Sequence, residues 1–271
     1  MSDDNDDEPV MSDEDITERL SRKVTHGLTK LEKEQRILRR HESDRDVFEE
    51  VFDKRTLMIL YGLMNAKVFS QLNGVTASGK ESRVYWGITN TNTSVAVKIY
   101  LVASAEFKHR LQYIAGDPRF GNVRKGMRNI VQVWARKEFK NLTTAYNAKV
   151  PVPRPIYVKG NVLVMEFIGE GGVPAPTLNV CDVTHKHYLE VLKAVSKLYK
   201  AGLVHADLSG YNVFLHKDKI MLFDFGSAVA IAHPNATQFL TRDILNINKF
   251  FSKKGINVYD LDKTLKVVKK D

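Results

Sequence analysis

The sequence predicts an α+β protein of two lobes: an antiparallel, β-rich N-terminal lobe with one helix, and a reduced, mainly helical C-terminal lobe. Three observations point there. Alternating or β-branched segments crowd residues 68–100 and 151–168. A Gly/Pro-rich break, Gly169-Glu170-Gly171-Gly172 and then "GGVPAP", interrupts the chain. Beyond it, apolar residues recur at helical spacing over 182–200 and 238–267.

Taken in order, residues 1–16 read as an acidic, unfolded tail. Residues 17–66 read as a helical extension. Val24, Leu28, Leu31 and Leu38 form one stripe there, and Val47, Val51, Phe52, Leu60 and Leu63 form another. Residues 67–168 make the sheet lobe. Its first strand runs from Val68 to Val75 and ends at an Asn73-Gly74 turn. "SRVYWGI" and "SVAVKIY" follow as strands. Residues 102–130, charged and without a period, read as a long mobile insertion. Helix returns over 131–148, then "VPVPRPIYV" and "NVLVMEFIG" close the sheet, the prolines placing the first at an edge. Residues 169–271 make the second lobe, with a strong helix over 182–200 stopped by Gly202. "NVFLH" and "IMLFDFG" form a small hairpin about Lys217-Asp218-Lys219.

The formal charge is +9, and residues 1–15 hold eight acids and no base, so the remainder carries +17. A body that basic can hold polyanions, nucleotides and RNA among them. A single cysteine, Cys181, excludes an internal disulfide framework and a cysteine-rich zinc site. No apolar run approaches the roughly 18–20 residues that span a bilayer, and the N-terminus is acidic where a signal peptide is basic and then apolar. A cytoplasmic protein without membrane contact is the expectation.

The polar residues that can carry chemistry cluster where the two halves join. In "LVHADLSGYNVF", Asp207 can accept or orient a hydroxyl proton, and Asn212 offers a neutral oxygen to Mg²⁺, which prefers oxygen ligands. His205 suits a loop-holding role. Asp224, in "LFDFGSA", ends a strand expected to pair with "NVFLH", which brings it near Asn212. Lys98, between apolar neighbours in "VAVKIY", needs a carboxylate if it faces a cleft. Glu138 is the natural partner, and Glu170 or another helical carboxylate is the alternative. Gly74 to Lys80 fits G-x-x-x-x-G-K, but Glu81 stands where a Walker A loop needs a hydroxyl, and a strand follows where that loop opens a helix. The segment reads instead as a strand–loop–strand lid that brings Ser78 and Lys80 to phosphates. In "VMEFIG", backbone groups of Glu166 and Ile168 can meet an adenine edge, with Met165 behind it.

Together, V-A-V-K, a helix Glu, H-x-D-x-x-x-x-N and D-F-G resemble the protein-kinase-like fold. "ASGKESRVYWG", "LVHADLSGYNVF" and "HPNATQFLTRDILNINKFF" resemble, more narrowly, the RIO family of atypical serine/threonine protein kinases. The "HADLSxYN" form and the insertion leading to "VWARKEFKNL" are similar to its type-one, archaeal-like branch. The resemblance covers roughly residues 60–255. It implies ATP and Mg²⁺, with Mn²⁺ as a substitute. Asp207 would be the base, and Asn212 with Asp224 the metal ligands. Lys98 would sit on phosphates, and Asp224 would also be an acceptor of phosphate. It further implies autophosphorylation, ATPase activity, serine-bearing protein substrates and work on the pre-ribosomal small subunit and its RNA.

Some positions depart from the family pattern. Ala77-Ser78 replaces the usual Ser-Thr, and Gly210 replaces a commoner Glu, which is expected to loosen the loop. "DFG" is closer to ordinary kinases, and "HPNA" is also seen in the type-two branch. No A-P-E motif follows Asp224, and Ser209 stands where ordinary protein kinases have lysine, so peptide capture is expected to differ. A small-molecule kinase of the aminoglycoside or choline type, or a nucleotide-responsive RNA-binding scaffold, are the rival readings.

Overall fold

The computed structural model describes residues 53–102, 113–114, 117–120 and 126–270. The expected acidic tail, the helix over 21–40 and the apolar positions Val47, Val51 and Phe52 lie outside the described residues.

The chain enters through α1 (Lys54–Asn65), capped by Asp53, whose carboxylate accepts from the Thr56 N–H at 2.8 Å. Five strands follow: β1 (Gln71–Ser78), β2 (Ser82–Ile88), β3 (Ser94–Tyr100), β4 (Pro155–Lys159) and β5 (Val162–Glu166). All neighbours are antiparallel, in the order β1-β2-β3-β5-β4. β4 lies at an edge, where the missing N–H groups of its proline-rich entry cost no ladder bond. Asn73-Gly74 makes no turn. β1 runs through it to Ser78, and the register shifts between Leu72 and Val75 and again between Val75 and Ala77. Local turn propensity thus yields to pairing with β2, at the expense of a bulge.

Side-chain alternation in β3 decides what each face of the sheet does. Val95, Val97 and Ile99 pack with Leu60 and Leu63 of α1, Phe69, Leu72, Val162 and Val164. Ala96, Lys98 and Tyr100 point to the opposite face, and Tyr100 there joins the larger core. That face is covered by α2 (Met127–Asn147), which presents Val131, Trp134, Ala135, Leu142 and Ala145. Fully burying a side chain the size of Val131 or Leu142 contributes about 1.5–3 kcal/mol. α2 starts four residues earlier than the sequence suggests. The described part of the preceding insertion is docked rather than loose: Tyr113 packs on Trp134 and Phe239 at ring distances of 6.3 and 5.4 Å.

The Gly/Pro break folds as a hairpin of two-residue strands, β6 (Gly169–Glu170) and β7 (Val173–Pro174). Gly172 is needed there, because φ is +83° and a Cβ would lie 2.5 Å from the Trp86 ring. Then come α3 (His185–Lys200), β8 (Leu203–Val204), β9 (Val213–His216), β10 (Lys219–Leu222), β11 (Val229–Ala230), α4 (Ala236–Lys253) and α5 (Leu261–Lys269). The segment read as mostly helix over 238–267 holds two helices, α4 and α5, with Gly255 (φ +77°) between them. β9 pairs with β10, and β8 pairs with β11. Residues 205–212 connect β8 to β9, and residues 223–228 connect β10 to β11. Because their flanking strands pair with each other, these two loops are forced together.

Candidate active site

β3 places Lys98 on the sheet face that α2 covers, with its side chain 9% exposed. Its Nζ donates to both Glu138 carboxylate oxygens at 2.9 Å and to Asp224 Oδ1 at 3.0 Å. Of the carboxylates considered from sequence, the partner in the structure is Glu138; Glu170 pairs with Lys217 on the surface. Burial opposes the Lys98 charge, but the Asp224 and Glu138 carboxylates outweigh it and hold the ammonium above its ordinary pKa. Burial pushes the Glu138 carboxyl up, and Lys98 works against that push. The Tyr100 hydroxyl also donates to Glu138 Oε2. Burial, followed by the nearby Glu138 charge, raises the Tyr100 pKa well above normal, so it stays a donor.

A hollow of about 280 Å³ opens beside this cluster, lined by the lid residues Gly79 to Ser82, Lys98, Tyr100, Asp224 and Ser227 among others. The lid is closed by Gly79 N–H donating to Ser82 O at 2.9 Å, and Lys80 at its tip is exposed. Ser78, also exposed, ends β1 opposite Arg83 and precedes the lid.

The second half of the site comes from the two paired loops. Phe223 N–H donates to Asn212 O at 3.1 Å, which sets Asn212 one residue from Asp224 across the ladder. Asn212 Nδ2 donates to Asp207 O at 2.7 Å, leaving Oδ1 as that side chain's acceptor. Asp207 itself is exposed. His205 Nε2 bonds Phe223 O at 3.0 Å and ties the loops together from beneath. The paired loops thus carry an amide oxygen, on Asn212, and a half-exposed carboxylate, on Asp224. Among the described residues no group of three or more His, Cys, Asp or Glu gathers to hold a metal unaided. That donor set fits Mg²⁺, which takes one or two protein oxygens and completes its shell with phosphate and water.

Ala206 and Asp224 both adopt left-handed backbone, φ +63° and +62°, at about 1–2 kcal/mol each. Ala206 is held there by α4: Asp243 accepts from Ala206 N–H at 2.7 Å and Leu208 N–H at 2.9 Å, and Arg242 donates to Ala206 O. Burial raises the Asp243 carboxyl, and the His205 side chain and these backbone donors partly counter it. Gly210 is not a loosening. A Cβ there would lie 2.8 Å from the Phe250 ring, and Gly210 O accepts from Asn179 N–H at 3.1 Å. The missing side chain lets the loop pack against α4.

Met165 lies opposite Ala96 on the Lys98 face of the sheet. Glu166 is bound to Arg154 through its own N–H at 2.8 Å and through its carboxylate at 3.0 Å. Ile168 is buried, and its carbonyl accepts from Ala175 at 2.8 Å. Met165 and Glu166 end β5, the strand beside Lys98, and Ile168 follows it; all three lie outside the hollow's lining. Sequence reasoning missed Tyr100, Ser227 and Asp243. Tyr100 was legible in principle as the second residue after Lys98 on the same strand face. Asp243 was legible as the lone acid in an otherwise apolar helical stripe.

A twisted five-stranded lobe on a helical one, with a lysine–carboxylate pair and two convergent loops between them, defines the protein-kinase-like class. The RIO domain family model matches residues 83–264. The chain is 38% identical over 235 residues to the RIO-type serine/threonine-protein kinase Rio1 of Haloferax volcanii, covering 81% of each. It is 40% identical to the Rio1 of Methanocaldococcus jannaschii, covering 84% of this chain and 77% of that one. The Dictyostelium discoideum serine/threonine-protein kinase rio1 is 36% identical, and the chain spans only 44% of its length. The crystal structure of a Rio2 kinase–ADP/Mg²⁺–phosphoaspartate complex from Chaetomium thermophilum has the same fold. Its TM-score is 0.60 at 21% identity, over 79% of this chain and 66% of that one. The chain belongs to the RIO family of atypical serine/threonine protein kinases, and both archaeal relatives carry the Rio1 name. No described helix is long and apolar enough to cross a membrane.

Proposed function

We propose that this chain is an ATP- and Mg²⁺-dependent serine/threonine protein kinase of the cytoplasm that acts in small-ribosomal-subunit maturation. Residues 67–168 serve as its nucleotide-binding lobe and residues 169–271 as its catalytic lobe. The observation that carries this reading is Lys98 bridging Glu138 and Asp224 at the mouth of the hollow. An ammonium shared by two carboxylates can pass from Asp224 to incoming phosphates while Glu138 keeps it aimed. Asp224 and Asn212 Oδ1 are then the ligands for Mg²⁺, which neutralises charge on the phosphates. Lid N–H groups, Ser78 and Lys80 close over the triphosphate. Glu166 and Ile168 meet the adenine in front of Met165. Asp207, exposed on the 205–212 loop, orients the acceptor hydroxyl and takes its proton.

Ser209 in place of a lysine, and Asp224's half-exposed carboxylate beside Lys98, favour a second reaction at the same site. There Asp224 attacks the γ-phosphorus, ADP leaves, and water later cleaves the acyl phosphate, giving net ATP hydrolysis. The Chaetomium Rio2 structure is of a phosphoaspartate complex. In this reading the basic body holds pre-ribosomal RNA and the nucleotide state gates release.

The test is incubation with γ-labelled ATP and Mg²⁺, wild type beside Asp207→Ala. Label on serine that disappears in the variant supports the kinase. Label on protein that hydroxylamine removes, together with free phosphate, supports the aspartyl-phosphate route. Label in neither overturns both.

A further inference from the structure

The DFG segment is bonded to α2 directly. Lys137, fully buried, donates through Nζ to Gly226 O at 2.9 Å and also to Ala228 O. Asn141, one turn further along α2 and also fully buried, donates through Nδ2 to Phe225 O at 3.0 Å and Ala228 O at 2.7 Å. Two side chains therefore engage three of the four carbonyls from 225 to 228. At i and i+4 they share one face of the helix, and Glu138 is Lys137's immediate neighbour. Trp134 fills the space above: a Cβ at Gly226 would lie 2.8 Å from its Nε1.

Such an arrangement is expensive to keep unless it positions something. Burying an ammonium costs far more than burying a methylene chain, and burial drives the Lys137 pKa down to about 7. A neutral amine still has two N–H donors, which matches the two carbonyls it meets. Asn141 accepts the same kind of cost, since its Oδ1 is buried with no hydrogen-bond partner among the described residues. The amide orientation is set by donation to the two carbonyls alone.

We propose that Lys137 and Asn141 are positioning residues that fasten the metal-binding loop to α2, so that Asp224 and Glu138 move as one unit about Lys98. This extends the kinase reading, in which Asp224 holds Mg²⁺. Lys98 then spans two carboxylates whose separation is fixed by side chains of a single helix.

The experiment measures ADP binding by calorimetry with and without Mg²⁺ in wild type, Lys137→Met and Asn141→Leu. It is paired with hydrogen exchange of peptides covering 222–230 and 131–142. Wild type is expected to exchange both segments at matching rates. Each variant is expected to lose at least tenfold of the Mg²⁺-dependent gain in ADP affinity while Mg²⁺-free affinity stays within twofold, and to exchange 222–230 faster than 131–142. An unchanged Mg²⁺-dependent gain overturns the inference, as does a uniform rise in exchange over the whole chain. If a variant does not fold, wild-type exchange decides alone: a 222–230 segment that opens at least tenfold faster than 131–142 is not fastened to it. Absence of Mg²⁺-dependent binding in wild type would instead fault the nucleotide reading, and the exchange comparison would still judge the fastening.

Discussion

Residues 205–212 are gripped by α4, whose Asp243, Arg242 and Asn246 bond the backbone of Ala206 and Leu208. Residues 224–228 are gripped by α2, whose Lys137 and Asn141 bond the backbone of 225, 226 and 228. The first helix belongs to the same lobe as the loop it holds. The second packs on the sheet and reaches across the join. The two grips also differ in chemistry. α4 offers a carboxylate to backbone N–H groups in addition to N–H donors to carbonyls, whereas the α2 side chains offer N–H donors to carbonyls alone. Asp207 is thereby fixed to the helical core, and Asp224 is fixed to the element that carries the partner of Lys98. The gap between Asp207 and Asp224 is then set by how the lobes pack, while the gap between Asp224 and Lys98 is set within α2 and β3.

The widest effect should come from emptying the first loop of its carboxylate. Asp207→Ala should lower transfer to protein by about 10²–10⁴-fold with nucleotide affinity within about twofold, read by initial rates and calorimetry. A variant that transfers normally would remove the base from that loop. Next, Asp243→Ala leaves two buried N–H groups without their acceptor, at about 1–3 kcal/mol each. Urea midpoints should show that loss, and Asp243→Asn, which keeps one acceptor oxygen, should recover part of it.

The α2 grip should respond to pH above neutrality through Lys137. Burial holds Lys137 near 7 when folded, against the ordinary lysine value of 10.5 when unfolded. As pH falls from above 10.5 toward 7, the unfolded chain takes the proton and the folded chain does not, so stability falls. Below about 7 both are protonated and the penalty levels off. Stability relative to Lys137→Met should therefore rise with pH by on the order of 1–2 kcal/mol between about pH 7.5 and 9.5. Equal pH slopes in the two proteins would show that Lys137 is not buried as described. The smallest effect should be Gly210→Ala, where the new methyl meets Phe250. It should cost about 1 kcal/mol, and a stabilised variant would restore the view of Gly210 as a slack point.

Several features were legible because they are local. "SRVYWGI", read from its alternation, and "SVAVKIY", read from its β-branched apolar content, are strands over those residues. Asp224 near Asn212 followed from a short hairpin whose pairing period is two. Lys98 needed a carboxylate because an ammonium between apolar neighbours cannot be buried alone. The failures were equally physical. Asn73-Gly74 looks like a turn until a partner strand rewards extension. Lys137 and Asn141 look like ordinary polar residues of a charged helix, since nothing in periodicity tells an outward lysine from one aimed at carbonyls 89 residues away.

The sequence alone determined which residues could do chemistry and in which lobe each would lie, because residue type and short-range period fix charge, hydrogen-bonding capacity and strand or helix. Only the tertiary structure decided which carboxylate answers Lys98, which helix holds each loop, and why positions 210 and 226 must be glycine. Those outcomes depend on contacts between segments far apart in the chain, where the energy of burial and the cost of stranded polar groups are settled by shape and not by order.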